Sequence, residues 1–195
     1  QAFLATWLNG FAPLSLFTGN ATDADLVYPL GRDSGSGTRI TTLAETGYGI
    51  FTPVNQWDVT TSGSEPSLSV TSINYVGDGG YSSGSTLRNV MGATSASAGG
   101  YLLAYVGVAD SVTVVNNGGR TLTYNGGPYS EDGVRNGEYT FWGYQHLYNV
   151  SLTGTELAVK NALVNEIVAN PGSAGIGLST MNVERFADGG TVFPK

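Results

Sequence analysis

Residues 26–39 read Leu26-Val27-Tyr28-Pro29-Leu30-Gly31-Arg32-Asp33-Ser34-Gly35-Ser36-Gly37-Thr38-Arg39, an apolar run that breaks into a glycine-rich turn. A helix is expected to follow over residues 40–46 and to stop at Gly47. Strand, glycine turn and helix start form a frame in which backbone N–H groups converge on a bound anion, since the first turn of a helix has donors without intrahelical acceptors. Arg32 adds a fixed positive charge and a planar fork that matches tetrahedral oxyanions. The functional reading places Arg32, the Ser36 and Thr38 hydroxyls and the Gly37 N–H around such an anion. The plainer reading has Ser36 or Thr38 capping the helix, the glycines shaping a turn, and Arg32 in water. No lysine follows the glycines, so this is not a Walker loop, and the glycine spacing does not fit a dinucleotide fingerprint.

Working outward, residues 2–8 are expected to be helical and closed by Asn9-Gly10, and residues 11–25 to be mostly turn and loop. Residues 51–66 are polar with scattered aromatics and read as irregular. Residues 68–76 alternate as a strand. Gly77-Asp78-Gly79-Gly80 breaks it, and a short helix over 85–91 ends at Gly92. Residues 95–100 read as a small-residue loop, and 101–108 as an apolar strand buried on both faces. Residues 112–115 and 120–124 flank Asn116-Asn117-Gly118-Gly119, the signature of a β-hairpin. Residues 138–144 suggest an aromatic strand. Thr153-Gly154-Thr155-Glu156 is a capping box for a helix to about Ala169. In it Leu157, Leu163, Val164, Ile167 and Val168 share a stripe. Residues 176–193 hold short apolar pieces without a period. Strands alternating with helices, plus one hairpin, predict an α/β domain with a mixed sheet spanning residues 1–195.

The 195 residues suffice for one sizeable domain. Charged residues are only 12%, about half the usual share, while 41% are hydrophobic, so a packed core is expected. The 29 glycines lie between apolar runs without a repeat and read as turns. A net charge of −7 argues against nucleic acid as a partner. It leaves an anion loop feasible, because distant charges are screened beyond about 8–10 Å. Absence of cysteine excludes a disulfide framework, a thiol nucleophile and a thiolate metal site. No apolar run approaches the roughly 18 residues of a membrane span, and no signal-peptide pattern occurs. The chain opens on Gln1 inside an expected helix, as a chain with residues removed upstream would.

Three other constellations compete for chemistry. Gly80-Tyr81-Ser82-Ser83-Gly84 fits the G-x-S-x-G pattern of a serine nucleophile, followed by Asp110 or Asp132 and then His146 in esterase order. Against it stand a single histidine, no glycine-rich oxyanion segment and too few strands. A serine-capped helix after a glycine turn explains the same residues. Tyr139, Phe141, Trp142, Tyr144 and Tyr148 make either a sugar- or peptide-binding platform or an aromatic core face, and the core is preferred. Asp23/Asp25 and Glu131/Asp132 lack EF-hand spacing and read as solvated turn acids.

At Arg32-Asp33-Ser34-Gly35-Ser36-Gly37-Thr38 the chain resembles the PstS-like phosphate-binding proteins of bacterial phosphate ABC transporters, a branch of the type 2 periplasmic binding proteins. Every fixed position of their Arg-x-x-Gly-Ser-Gly-Thr signature is filled. The order of Gly80–Gly84, residues 101–108, the polar hairpin and residues 139–148 is similar more loosely. The resemblance implies that Arg32, Ser36, Gly37 and Thr38 contact the oxyanion. It also implies a periplasmic or secreted location, no catalysis and no cofactor. An ABC transporter permease or an N-terminal lobe fragment would be the partner. The family often has an aspartate two residues after the arginine, where this chain has Ser34 and carries its acid at Asp33. The family's remaining ligands, a Thr or Ser, a Ser and a proton-accepting Asp, come from an N-terminal lobe segment, and nothing before Arg32 offers them. Residues 1–195 would therefore correspond mainly to the second lobe of a clamshell, with 150–195 as the return toward the first. Two further readings stay open: a structural or cell-surface, filament-forming protein reusing the fold, and a serine hydrolase built on Ser82 and His146.

Overall fold

In the computed structural model, which describes residues 1–64, 68–93, 99–172 and 175–195, the chain divides into two compact units, Gln1–Thr121 and Leu122–Lys195. Residues 95–98 of the expected small-residue loop lie outside the described residues. The protein is a mixed α/β chain with a small mixed sheet.

In the first unit, α1 (Ala2–Asn9) ends at Gly10, whose φ of 81° lets the chain turn out of the helix, and a single helical turn, α2 (Ser15–Thr18), lies in the stretch expected to be mostly loop. The sheet centres on β2 (Leu26–Pro29), which pairs antiparallel with β1 (Ala12–Pro13) and parallel with β5 (Gly100–Leu103). β5 starts on glycine because a Cβ there would lie 2.5 Å from the Tyr28 ring and 2.8 Å from the Leu26 carbonyl. After β2 in the chain, α3 (Gly37–Glu45) begins three residues earlier than the sequence pattern places it, because Ser36 takes the cap. An antiparallel pair, β3 (Gln56–Ser62) and β4 (Ser69–Gly77), is followed by α4 (Gly84–Met91) and α5 (Val108–Asn116). Leu30, Leu87 and Val90 form the buried centre, covered by Tyr28, Trp57, Val59 and Tyr81. Trp7 is fully buried, with Phe3 stacked on it at 4.1 Å.

Three expectations fail in this unit. Residues 56–62 form a strand where an irregular segment is expected: Trp57 and Val59 alternate inward among threonines suited to a pleated strand. Residues 101–108 do not make one strand buried on both faces. The strand stops at Leu103, Tyr101 is half exposed, and Val108 opens a helix. The hairpin at 112–124 is absent, because residues 112–115 lie in α5 and 120–124 carry no named strand. Asn116-Asn117-Gly118-Gly119 ends that helix as a Schellman motif. The Gly119 N–H donates to Val114 O at 2.9 Å and the Gly118 N–H to Val115 O at 3.0 Å, with Gly118 at φ 96°. Packing of α5 on α4 and burial of Val114 override the β preference of its valines.

In the second unit, α6 (Glu131–Asn136) is capped by Ser130, whose Oγ accepts the Gly133 N–H at 2.9 Å. Val134, Met181 and Val183 form the core, packed against by Tyr139, Trp142, Ile176 and Val192. β6 (Val183–Glu184) pairs antiparallel with β7 (Phe193–Pro194). The strand expected over 138–144 does not form: the N–H groups of Glu138 and Tyr139 both turn back to Gly133 O, which consumes them at the end of α6. α7 (Gly154–Ala169) is a helix as expected, but Thr153 makes no side-chain cap and no residue of the helix is buried. The apolar stripe is therefore exposed: Val168 is 68% accessible and Leu163 50%. Among the described residues no helix is long and apolar enough to cross a membrane.

Candidate functional site

The glycine-rich turn sits where β2 runs out, and buried polar groups hold it. Gln56, fully buried, accepts the Trp7 Nε1–H at 3.4 Å and donates its amide to the Gly79 and Arg32 carbonyls. Gly31 is required by this packing: a Cβ there would fall on Gln56 Oε1 and 2.7 Å from Tyr105 Oη. The Gly31 carbonyl accepts the Tyr81 N–H at 2.9 Å and the Tyr81 carbonyl accepts the Asp33 N–H at 3.2 Å, so the turn 79–83 is laced to 31–33 like a further parallel strand. Gly80 also admits no side chain, since a Cβ would lie 2.5 Å from Arg32 O. Tyr105 Oη accepts the Arg32 N–H at 3.1 Å. Burial is the main cause that pushes the Tyr105 phenol up to about 12, and burial does the same for Tyr81, whose oxygen accepts the Val59 N–H.

Ser36, Gly37 and Thr38 come together on the first turn of α3. Ser36 is buried and its Oγ accepts the Arg39 N–H at 3.4 Å, so it is the N-cap. Gly37 and Thr38 are exposed, and as the first two helical residues their N–H groups have no intrahelical acceptor. Asp33 Oδ1 accepts the Gly35 N–H at 2.9 Å and fixes the turn ahead of the cap. Arg32 goes elsewhere. Its Nε–H donates to Tyr81 O and its Nη2–H to Ser82 O, both at 2.9 Å. Its Nη1 reaches the start of α4, 3.6 Å from where a Cβ on Gly84 would stand. Among the described residues no hydrogen bond joins the Arg32 guanidinium to Ser36, Gly37 or Thr38.

Arg39, the last residue of the motif, is one that the sequence reading passed over. It is 4% exposed and pairs with the Asp78 carboxylate, while its Nη1 donates to Asp78 O at 2.9 Å and Arg32 O at 3.4 Å. Asp78 Oδ1 also accepts the Val54 N–H at 2.9 Å. The only hint in the sequence is an arginine three places into a helix whose other side chains are mostly threonine or apolar.

The competing constellations resolve into local pairings. Ser83, not Ser82, caps α4, accepting the Thr86 N–H at 3.1 Å. Asp110 pairs with Arg88 at 3.4 Å, Asp132 and Glu131 with Arg135 at 2.9 and 2.8 Å, and His146 with Asp188 at 3.3 Å. Ser82 belongs to the first unit and His146 to the second. Asp23 is bonded by Thr18 Oγ1 and Asn20 Nδ2. No group of three or more potential metal-ligating side chains occurs among the described residues. Of the aromatics, Tyr139 and Trp142 pack on the second core, Arg185 lies 4.0 Å over the Trp142 ring, and Tyr148 is 87% exposed. No family model matches the chain, and neither a curated protein nor a solved structure matches it.

Proposed function

We propose that the first unit is a non-catalytic oxyanion-binding domain, phosphate being the reference ligand, on a scaffold akin to one lobe of a type 2 periplasmic binding protein. The observation that carries the reading is the exposed first turn of α3, where the Gly37 and Thr38 N–H groups and the Thr38 hydroxyl stand together behind a rigid turn. The signature residues 32–38 and the parallel β2–β5 pair support it. The Tyr81 and Ser82 carbonyls hold the Arg32 guanidinium toward the start of α4, so Arg32 contributes its positive charge to this site rather than a direct hydrogen bond. Charge-assisted bonds are worth about 1.5–3 kcal/mol each. Two or three of them on an open surface, set against the cost of association, give weak, salt-sensitive binding. A periplasmic or secreted setting, with a permease or a first-lobe fragment as partner, belongs to the same proposal.

Isothermal titration with inorganic phosphate at low and moderate salt tests it. Saturable heat that Arg32→Ala weakens about tenfold or more supports the reading; no heat at millimolar phosphate refutes it.

One observation favours a second reading, an assembly subunit. α7 carries several apolar side chains yet has no buried residue, and a shallow groove of about 460 Å³ runs along it between Leu147, Tyr148, Leu152, Val159 and Leu163. Light scattering at several concentrations decides this: a monodisperse monomer throughout counts against assembly.

A further inference from the structure

A cavity of about 250 Å³ opens between α3 and the loop at residues 50–53. The Arg39–Asp78 pair and Leu43 line its base, Ser34 and Thr52 bring hydroxyls, and Phe51 stands on its rim, 93% exposed. The loop that presents this bare ring is pinned on both sides. Tyr48 Oη donates to Pro53 O at 3.1 Å, the Thr52 N–H to Gly49 O at 3.0 Å and the Val54 N–H to Asp78 Oδ1 at 2.9 Å. A phenyl ring carried into water by a pinned loop beside a polar cavity offers an apolar contact face there.

Charge balance selects the ligand class. Asp78 turns an anion away from the cavity. A cation gains little, because the Asp78 charge is already met by the buried Arg39 guanidinium. Asp78 Oδ2 has no donor among the described residues while Oδ1 has two, so the cavity offers a strong acceptor to a neutral hydroxyl. A molecule with several hydroxyls and one apolar face answers both the carboxylate and the ring. We propose that this cavity binds a single neutral hexopyranose unit, with the C–H face of the sugar on Phe51 and adjacent hydroxyls on Asp78 Oδ2 and Thr52 Oγ1.

The test is saturation-transfer difference NMR and titration of the intact chain with the methyl β-glycosides of glucose, galactose, mannose and N-acetylglucosamine. At least one glycoside gives a saturable signal strongest on its ring C–H protons. Phe51→Ala, a surface change that leaves the circular dichroism spectrum unaltered, weakens it about tenfold or abolishes it. Arg32→Ala leaves it unchanged, which separates this site from the oxyanion site. Absence of a saturable signal from all four glycosides overturns the proposal. So does equal binding by the Phe51→Ala protein, or displacement of the sugar by inorganic phosphate.

Discussion

Replacing Gly31 by alanine puts a methyl group onto Gln56 Oε1 and 2.7 Å from Tyr105 Oη, in a part of the first unit where neither neighbour has room to retreat. Gln56 is fully buried and holds Trp7, Gly79 and Arg32 together, and Tyr105 is 5% exposed. Overpacking of this kind costs about 1–3 kcal/mol. Displacing the Gln56 amide strands buried polar groups at about 1–3 kcal/mol more. The sum, about 2–6 kcal/mol, is a large part of the roughly 5–15 kcal/mol that holds a domain folded. With a urea slope of about 2–3 kcal/mol per molar, the midpoint falls by about 1–3 M. Gly37→Ala is the matched control, since a Cβ there meets nothing within 4 Å and the residue lies in a helix. It is neutral or stabilises by up to about 1 kcal/mol. Urea unfolding by tryptophan fluorescence, in a Trp142→Phe background so that Trp7 and Trp57 of the first unit report, measures both. Equal midpoints for the two variants would refute the claim that Gln56 and Tyr105 enforce glycine at position 31.

Further expectations concern the same framework. Tyr105 is raised from 10.0 to about 12, chiefly by burial, so its neutral form is favoured in the folded state. That stabilisation is whole below pH 10 and is lost as pH climbs toward 12, at about 2–3 kcal/mol for a shift of this size. Alkaline unfolding followed by tyrosinate absorbance should fall in this window. Tyr105→Phe should flatten the alkaline limb, and an unchanged limb would contradict the assignment. Asp78→Ala leaves Arg39, whose side chain is 5% exposed, without its carboxylate. Because Asp78 is 46% exposed, the cost is about 1–3 kcal/mol rather than the 3–5 kcal/mol of a fully buried pair, read as a lowered urea midpoint. Ser36→Ala removes the N-cap of α3 and costs about 1 kcal/mol in the same assay.

Much of the framework around the site was legible in the sequence, because short-range chemistry decides it. The strand before Gly31, the helix after Ser36, the α1 stop at Gly10 and the helix after Ser83 each follow from a local apolar pattern joined to a cap or glycine. What could not be read depends on distant partners. Asn117-Gly118 fits a hairpin turn and a Schellman stop equally well, and only the packing of α5 on α4 selects the stop. Gln56 reads as a surface residue until Trp7, Gly79 and Arg32 close around it. The same holds for the site: Ser36, Gly37 and Thr38 cluster because they are consecutive, whereas the Arg32 head is drawn away by carbonyls almost fifty residues on. Nothing local in the sequence marks Arg39, and only Asp78 makes it the buried cation of the turn.

The most direct test of the central claim is the amide spectrum of the isotopically labelled protein as phosphate is added at constant ionic strength. Oxyanion binding at the start of α3 predicts saturable shifts concentrated at the Gly37 and Thr38 N–H groups and weakened about tenfold or more in Arg32→Ala. A spectrum unmoved at millimolar phosphate, or shifts that spare Gly37 and Thr38, would contradict it.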